Sequence, residues 1–274
     1  MELFNIDEKT CNRDGICAAV CPSRIIEFQK GGYPVPVAGA EKACIACGHC
    51  VAVCPTGSLD HRAMAAAQCP PVQPDLALSA EHTEHFLRSR RSIRAYKRKA
   101  VPEERIERLI RMARYAPSGR NSQGVEWLVL GRTEEVHRTA GLVADWMRWT
   151  IDHDPQTAVV MHLEKSLKAW DGGVDIIFRN APAVVIAHME KDNPRAQTTC
   201  TIALTYLELA ALGLGLGGCW AGYFMRAAAA YSPLMQALAL PRGHQCFGAM
   251  MVGYPGFKYH RLPLRNEPRI TWRM

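Results

Sequence analysis

The sequence predicts an α+β protein in two parts: a small cysteine-rich unit, followed by a larger unit whose central, mainly antiparallel sheet is flanked by helices. The chain has 274 residues, about twice the length of a typical domain. Eight of its 11 cysteines lie in the first 69 residues, so the two parts differ in chemistry. After the cysteine-rich residues, segments with helical periodicity and short apolar runs predict helices and strands. A hydrophobic content of 48% with 22% charged residues excludes a disordered chain.

A proline-rich stretch separates the two parts. Residues 69–83 read CPPVQPDLALSAEHT, and their three closely spaced prolines disfavour both a helix and a central strand. We therefore expect a cysteine-rich domain at 1–68, a linker at 69–83 and a second domain at 84–274.

The second part contains a helix that is recognised by its start and its periodicity. Pro102 and two glutamates open it, apolar residues recur at helical spacing, and arginines precede Pro117. A second helix, roughly 199–212, is apolar almost all round and is expected in the core. Short apolar runs bounded by glycine or proline predict buried strands at 125–130, 183–188 and 246–252.

Charge and hydropathy exclude several function classes. Lys and Arg number 33 against 26 Asp and Glu, and the net charge of +7 is too modest to predict a nucleic-acid partner. The stretch 201–224 is long enough to span a membrane, but Glu208 and five glycines favour a buried helix followed by a loop. The acidic N-terminal segment lacks the pattern of a signal peptide, so we expect a cytoplasmic protein with reduced cysteines.

The spacing of four cysteines predicts iron–sulfur ligation. They form the run C-x2-C-x2-C-x3-C-P, in which the fourth cysteine ligates a second cluster; its members are Cys44, Cys47, Cys50, Cys54 and Pro55. Zinc is the alternative, since paired C-x2-C units also bind zinc. The trailing x3-C-P and a second copy upstream favour iron.

The upstream copy lacks one cysteine. It contains Cys11, Cys17 and Cys21 before Pro22, with Asp14 where the pattern requires a thiolate. A carboxylate is a harder and weaker iron ligand, so this corner is expected to be oxygen-ligated, open to exchange, or empty as in a three-iron cluster. The crossed pattern of two four-iron clusters gives two ligand sets: Cys11, Cys17, Cys54 and Asp14 for cluster I, and Cys21, Cys44, Cys47 and Cys50 for cluster II.

A basic run indicates a ligand that carries phosphate. Seven of the twelve residues from Arg88 to Lys99 are basic, and the alternatives are a solvated face or a nucleic-acid patch. Some residues of the run have forked donors or a hydroxyl that suit a phosphate or a flavin pyrimidine edge: Arg90, Arg91, Ser92 and Arg94. Gly213, Gly215 and Gly218 match G-x-G-x-x-G, but they follow a helix, so a Rossmann site is not expected.

Both parts resemble known families. Residues 1–65 resemble a two-cluster bacterial ferredoxin through the two cysteine runs. Residues 84–274 resemble the nitroreductase family of FMN-dependent oxidoreductases through four ordered motifs: RRSIRAY at 90–96, APSGRNSQ at 116–123, LGLGLGGCWAG at 212–222 and GYPGFKYHRLP at 253–263. The resemblance implies that FMN is bound by Arg90, Arg91, Ser92, Arg94, Pro117, Ser118, Gly119, Asn121, Gln123, Ala221, Gly222 and Arg261.

The resemblance also implies how these residues divide the work. The arginines of the basic run and Ser92 would hold the phosphate, the ribityl chain and the pyrimidine edge, with Arg261 at the phosphate. Residues 117–123 would serve the flavin of the other subunit of a homodimer. Ala221 and Gly222 would offer backbone groups near the reactive edge of the flavin. Many family members carry a glutamate at the position of Ala221, so the resemblance supports no inference about charge there.

Together the resemblances predict a homodimeric iron–sulfur flavoprotein oxidoreductase. A reduced ferredoxin- or flavodoxin-type donor would supply electrons, which pass through two clusters to FMN and reduce a small organic acceptor of the nitroaromatic, quinone or activated-alkene class. The ferredoxin part makes a pyridine nucleotide unnecessary as the electron donor, without excluding it. The alternative is an electron-transfer or redox-sensing flavoprotein without a dedicated organic substrate.

Two further segments carry no family motif. Residues 141–173 contain Trp146, Trp149 and Trp170, and they are expected either to cover the flavin as a lid or to pack at the dimer interface. In the C-terminal tail, Ile270 and Trp272 alternate with polar residues, which predicts an added edge strand against the partner.

Overall fold

The computed structural model describes residues 2–274, which fold as two compact units. The first unit comprises residues 2–77 together with Ser118–Ser122, and the second comprises Leu78–Pro117 and Gln123–Met274. Each unit combines helices with antiparallel strands, so the predicted α+β class is confirmed.

The first unit consists of two short antiparallel ribbons and three short helices around an apolar core. The ribbons are β1 (Phe4–Ile6) with β4 (Leu59–His61), and β2 (Ile26–Glu27) with β3 (Val35–Pro36). The helices are α1 (Ile16–Ala19), α2 (Ala40–Ala43) and α3 (His49–Val53). Leu3, Ile25 and Val51 are buried in this core.

Two glycines at equivalent positions of the cysteine runs begin α1 and α3. Gly15 has a φ of 73° and Gly48 a φ of 74°, and each lies two residues before the third ligand position of its run. Glycine adopts this left-handed conformation readily because it has no Cβ. A Cβ would also lie 2.5 Å from the Phe28 ring at Gly15 and 2.7 Å from the Met64 sulfur at Gly48. The two runs therefore turn in the same way.

The predicted linker is exposed but contains local structure. Residues 67–85 are all exposed, and a 3-10 turn occupies Pro74–Leu76. Helix α4 (Ala80–Ser89) begins inside the predicted linker, because the His82 N–H donates to the Ser79 hydroxyl at 3.2 Å and the helix is thereby capped. The domain limits at 68 and 84 stay a prediction.

A four-stranded antiparallel sheet lies at the centre of the second unit. Its strands are β5 (Glu126–Leu130), β6 (Ala183–Glu190), β7 (Gly217–Trp220) and β8 (His244–Gly253), in the order β5-β6-β8-β7. The three predicted strands are confirmed to within about two residues at each end. No strand is predicted at β7, because its residues GGCW include two glycines and no β-branched side chain.

Helices cover both faces of this sheet. On the face that carries Val185, the helices are α5 (Glu103–Ala113) and α9 (Ala196–Gly213), which confirm the two predicted helices. On the face that carries Ile186, they are α6 (Thr133–His153), α10 (Gly222–Ala230) and α11 (Ser232–Leu238). Helices α7 (Pro155–Val160) and α8 (Leu163–Asp171) pack against α6.

The two segments without a motif differ in their packing. Residues 141–173 are helical, and Trp146 is 3% exposed within the core, so it cannot serve as a lid. Trp149 stacks on His153, and Trp170 stacks on His137. The tail from 263 to 274 is exposed and contains no strand within this chain. Within residues 2–274, no helix is both long enough and apolar enough to cross a membrane.

Candidate functional site

Two cavities in the first unit gather the cysteines of the two runs. One cavity is lined by Cys21, Cys44, Cys47 and Cys50, and by His61. The other is lined by Cys11, Asp14, Cys17 and Cys54. Each cavity thus takes cysteines from both runs, and the two sets are those of the crossed ligand pattern. Thiolates grouped in this way suit soft metal ions, iron–sulfur clusters among them.

The environment of the thiols differs within each set. Burial raises the pKa of Cys17, and it raises the pKa of Cys50 to about 11, where the neighbouring Cys47 and Cys21 add to the effect. At Cys54 burial acts in the same direction, but hydrogen bonds from the Thr56 hydroxyl and the Ser58 N–H outweigh it and lower the pKa. The Ser58 N–H donates to the Cys54 sulfur at 3.3 Å, which favours the thiolate that a metal requires.

Asp14 combines a structural contact with an exposed position at the second cavity. Its Oδ1 accepts the Ile16 N–H at 3.1 Å, at the start of α1. This hydrogen bond uses one of the two carboxylate oxygens. The second oxygen, Oδ2, is the atom that could ligate iron at the corner where the pattern lacks a cysteine.

His61 contacts a predicted ligand of cluster II and is absent from the sequence-based set. Its Nε2 lies 3.4 Å from the Cys44 sulfur, and its Nδ1 accepts the Ala63 N–H at 3.0 Å. Because Nδ1 accepts, the proton of the neutral ring is on Nε2, which donates to the sulfur. Burial lowers the pKa of His61, which is 6% exposed. Only the pairing of β1 with β4 brings this residue to the site, so spacing alone gives no signal.

Asn121 is engaged within the first unit. Its side-chain amide donates to the Ala46 carbonyl at 2.9 Å and to the Ile45 carbonyl at 3.3 Å, in the loop between Cys44 and Cys47. Ser118 and Gly119 belong to the same unit, whereas Pro117 and Gln123 belong to the second. The predicted role of this segment at a partner's flavin therefore stays a prediction, and Asn121 has a structural role within its own chain.

An arginine of the basic run forms a half-buried ion pair in the second unit. Arg90 Nη1 lies 2.9 Å from Glu208 Oε1, and the same nitrogen donates to the Ser92 hydroxyl at 3.5 Å. Glu208 is 5% exposed on α9, a helix that is otherwise mostly apolar. The partner of Arg90 is not predicted from sequence, although a lone acidic residue in an apolar helix is the signal that could have revealed it.

A cavity of about 570 Å³ in the second unit is bordered by basic side chains and glycines. Arg91, Lys97 and Lys258 supply its positive charge, and Gly215 and Gly217 contribute backbone to its wall. At Gly217 a Cβ would overlap the Ile93 side chain, so only glycine lets the two segments approach this closely. Lys97 and Lys258 are absent from the sequence-based set of site residues. Lys97 nevertheless lies in the basic run, and Lys258 lies in the last of the four family motifs. Arg261 is exposed and does not line this cavity.

A buried hydroxyl beside the basic run lacks a partner. Among residues 2–274, none donates a hydrogen bond to the Tyr96 hydroxyl or accepts one from it. Burial raises the pKa of Tyr96 far above its usual range, Cys219 adds to the rise, and the positive charges of Arg179 and Arg94 oppose it. An unsatisfied buried hydroxyl is costly, so a polar ligand atom at this position would be stabilising.

Both backbone groups of Ala221, for which the resemblance implies a role near the flavin, already form hydrogen bonds within the chain. Its N–H donates to the Ala249 carbonyl at 3.0 Å, and its carbonyl accepts the Met225 N–H at 2.9 Å. The first of these bonds extends the β7–β8 pairing, and the second closes the first turn of α10. Gly222 begins α10, where first-turn N–H groups have no acceptor inside the helix. Of the two residues, Gly222 is the one that could meet a ligand through its N–H.

Comparisons with known proteins confirm the family resemblance of both the cysteine-rich part and the second part of the chain. Residues 87–254 match the model of the nitroreductase family, and residues 3–55 match the model of the 4Fe-4S dicluster domain. No curated protein matches the chain.

Three solved structures illustrate the likeness of fold. A nitroreductase with bound FMN from Bacteroides fragilis is 21% identical, with 69% of this chain and 98% of that chain covered and a TM-score of 0.57. A nitroreductase with bound FMN from Desulfitobacterium hafniense is 20% identical, with 72% and 100% covered and a TM-score of 0.57. A BluB-like flavoprotein from Clostridium difficile is 18% identical, with 70% and 96% covered and a TM-score of 0.55.

Proposed function

Since the chain belongs to the nitroreductase family and carries a 4Fe-4S dicluster domain, we propose that it is an FMN-dependent iron–sulfur oxidoreductase. It takes electrons from a reduced ferredoxin- or flavodoxin-type donor and delivers them to a small organic acceptor of the nitroaromatic, quinone or activated-alkene class. When bound, the clusters supply one-electron steps and FMN supplies the exchange between one- and two-electron chemistry. The observation that carries the proposal is the sorting of the cysteines into two separate cavities in a chain of this family.

The residues of the second unit fit a flavin phosphate and ring system. The cavity of about 570 Å³ lies within the range of roughly 300–1,000 Å³ that is usual for small-molecule sites. Arg91, Lys97 and Lys258, which line this cavity, would neutralise the phosphate. Glu208 would fix the orientation of the Arg90 guanidinium.

The cysteines of the first unit would hold two clusters. Cys21, Cys44, Cys47 and Cys50 offer a complete thiolate set for a four-iron cluster II. Cys11, Cys17 and Cys54 would hold cluster I, with Asp14 as an oxygen ligand, as a neighbour of an exchangeable iron, or beside a three-iron cluster. Thiolate ligation of this kind suits a reducing compartment such as the cytoplasm, and the functional unit we propose is a homodimer.

Cofactor analysis of anaerobically purified protein tests the proposal. We expect about eight iron and eight sulfide per chain, or about seven iron if cluster I has three, together with about one FMN. Reduced ferredoxin should then bleach the clusters and the flavin, and one acceptor of the three classes should restore the oxidised spectrum with turnover. Zinc in place of iron, or the absence of flavin, would overturn the proposal. Flavin reduction without turnover of any acceptor would favour the electron-transfer alternative.

Charge removal at the basic cavity tests the flavin site separately. Arg91→Ala combined with Lys258→Ala should lower FMN retention after dialysis by about tenfold or more, because two charge-assisted contacts to phosphate are lost. The iron content should not change. Arg111→Ala is the matched control, since Arg111 is exposed and pairs with Glu107 on α5. Equal FMN content in the double variant and the control would contradict the assignment of the cavity.

A further inference from the structure

Three adjacent strands of the second unit bring two histidines and a glutamate together. Glu126 is the first residue of β5, His188 lies in β6, and His244 is the first residue of β8. Glu126 pairs directly with His188 in the β5–β6 register. The register of β6 and β8 shifts between Ala187 and His188, and this irregularity lies beside the cluster. Bulges of this kind re-aim side chains and often lie next to functional sites.

The ligand-type atoms of the three side chains converge. The Nδ1 atoms of His188 and His244 are 3.0 Å apart. The other ring nitrogen of His244, Nε2, is 3.9 Å from Glu126 Oε1, and only one of the two nitrogens of this ring can bind a given ion. One atom from each residue lies within 4.8 Å of the other two. In a tetrahedral zinc site with Zn–N bonds of about 2.0–2.1 Å, two ligand atoms are separated by about 3.3 Å. The spacing of the two imidazole nitrogens is therefore close to one edge of such a tetrahedron.

The burial of the three side chains also suits a metal ion. His188 is 4% exposed, and the side chain of His244 is 11% exposed, so their rings are held by their surroundings. Glu126 is exposed and leaves a path to solvent. Two imidazole nitrogens with one carboxylate are ligands that zinc accepts, with a water in the fourth position.

We propose that Glu126, His188 and His244 form a zinc site that links β5, β6 and β8 at one end of the sheet. The residues belong to neither cysteine cavity nor to the basic cavity, so this site is independent of the proposed oxidoreductase function. The bound ion links three strands whose pairing is interrupted by the register shift at His188, and its fourth position is open to water.

Zinc counting on the holoprotein tests this site. Anaerobically purified protein is treated with a mild chelator, supplied with Zn²⁺ and desalted, and zinc, iron and flavin are then measured. The wild type should retain about one zinc per chain in addition to its iron. His244→Ala and Glu126→Ala should each weaken zinc binding by about tenfold or more while iron and flavin stay unchanged. His85→Ala, at an exposed residue of α4, is the control and should bind zinc as the wild type does.

Thermal unfolding gives a second readout. Added Zn²⁺ should raise the melting temperature of the wild type, because a ligand that binds the folded state stabilises it, and this rise should be absent in His244→Ala. The proposal is overturned if the wild type retains no zinc. It is equally overturned if His244→Ala and Glu126→Ala retain as much zinc as the wild type, since the ion would then reside elsewhere, for instance on the cysteines. His188 is not substituted, because its burial makes misfolding a competing cause of any loss.

Discussion

The hydrogen bond from His61 to Cys44 gives a prediction about a single residue, because Cys44 is a proposed ligand of cluster II. A donor to a ligating sulfur stabilises the reduced, more negative cluster and so raises its potential. His61→Leu should lower the potential of cluster II. If the hydrogen bond is about 1 kcal/mol stronger in the reduced cluster than in the oxidised one, its loss lowers the reduction potential by about 40 mV for a one-electron couple. Redox titration followed by electron paramagnetic resonance measures the shift.

His49 provides the matched control for this prediction. It lines the same cavity as His61, between Gly48 and Cys50, but its side chain is exposed, and within the described residues no hydrogen bond joins its ring to a cysteine sulfur. His49→Leu should leave the potential of cluster II within a few millivolts, and His61→Gln, which retains a donor, should fall between His61→Leu and the wild type. A potential unchanged in His61→Leu would show that the histidine only fills space.

Asp14 is the second single residue that carries a prediction about a cluster, because it stands where the cysteine pattern of the proposed cluster I lacks a thiolate. Asp14→Cys should supply a soft thiolate, fix a four-iron cluster I and change its potential. Asp14→Ala should alter cluster I as well, and it should cost about 1 kcal/mol of stability because the Ile16 N–H loses its acceptor. Electron paramagnetic resonance compares the three proteins, with the signal of cluster II as the internal reference. Identical cluster I spectra and potentials in all three would contradict a ligand role.

At the scale of elements, the Arg90–Glu208 pair joins the segment after α4 to the buried side of α9. Arg90→Ala leaves a buried carboxylate without its partner, so the free energy of unfolding should fall by about 2–3 kcal/mol. The double variant Arg90→Ala with Glu208→Gln should recover part of this loss, because the charge that lacks a partner is removed. Denaturant unfolding of both proteins gives the comparison.

An exposed ion pair on a neighbouring helix is the reference for this prediction. Glu107→Gln removes the pair with Arg111 on the surface of α5 and should cost less than about 0.5 kcal/mol. If Arg90→Ala lowers the free energy of unfolding no more than Glu107→Gln does, then the half-buried pair stabilises the protein no more than an exposed pair.

Elements with strong periodicity were predictable from sequence, and those defined by tertiary contacts were not. Helix α5 shows a clear apolar stripe with acidic residues at its start and an arginine near its end, and β6 is a continuous apolar run, so both are recognised. Strand β7 escapes recognition, because its glycines are selected by the closeness of Ile93 and Met250 rather than by strand propensity. Segment 141–173 gives no clear sequence signal, although its helices bury Trp146 in the core.

The candidate site residues also fall into a group that local sequence spacing predicts and a group that only tertiary contacts bring together. Ligand spacing along the chain predicts the cysteine sets, because local turns bring those residues together. His61, Glu208 and Lys258 were missed, since each reaches its place through strand pairing or packing between segments distant in sequence. The resemblance assigns Asn121 to a partner's flavin, which stays a prediction, but it gives no signal for the contacts of Asn121 with the carbonyls of Ile45 and Ala46.

At the scale of the whole molecule, exposed apolar residues in the tail agree with a homodimer. Leu264 is 91% exposed, Ile270 61% and Trp272 77%, in a segment without a strand of its own. Sedimentation of the holoprotein should give a dimer, and removal of residues 265–274 should shift it toward the monomer with loss of flavin. A monomer that is active and loaded with flavin would refute this arrangement.

Cys69 affects how such experiments must be done. Of the 11 cysteines, all within the described residues, Cys69 is exposed and the others are buried or half-buried. Alkylating reagents and oxidants therefore reach Cys69 before they reach a cluster ligand. In air, two chains joined through Cys69 would form a covalent dimer that mimics the predicted one, and Cys69→Ser removes this artefact. Left in place, the same thiol is a selective attachment point for a spin label or a dye on the exposed part of the first unit.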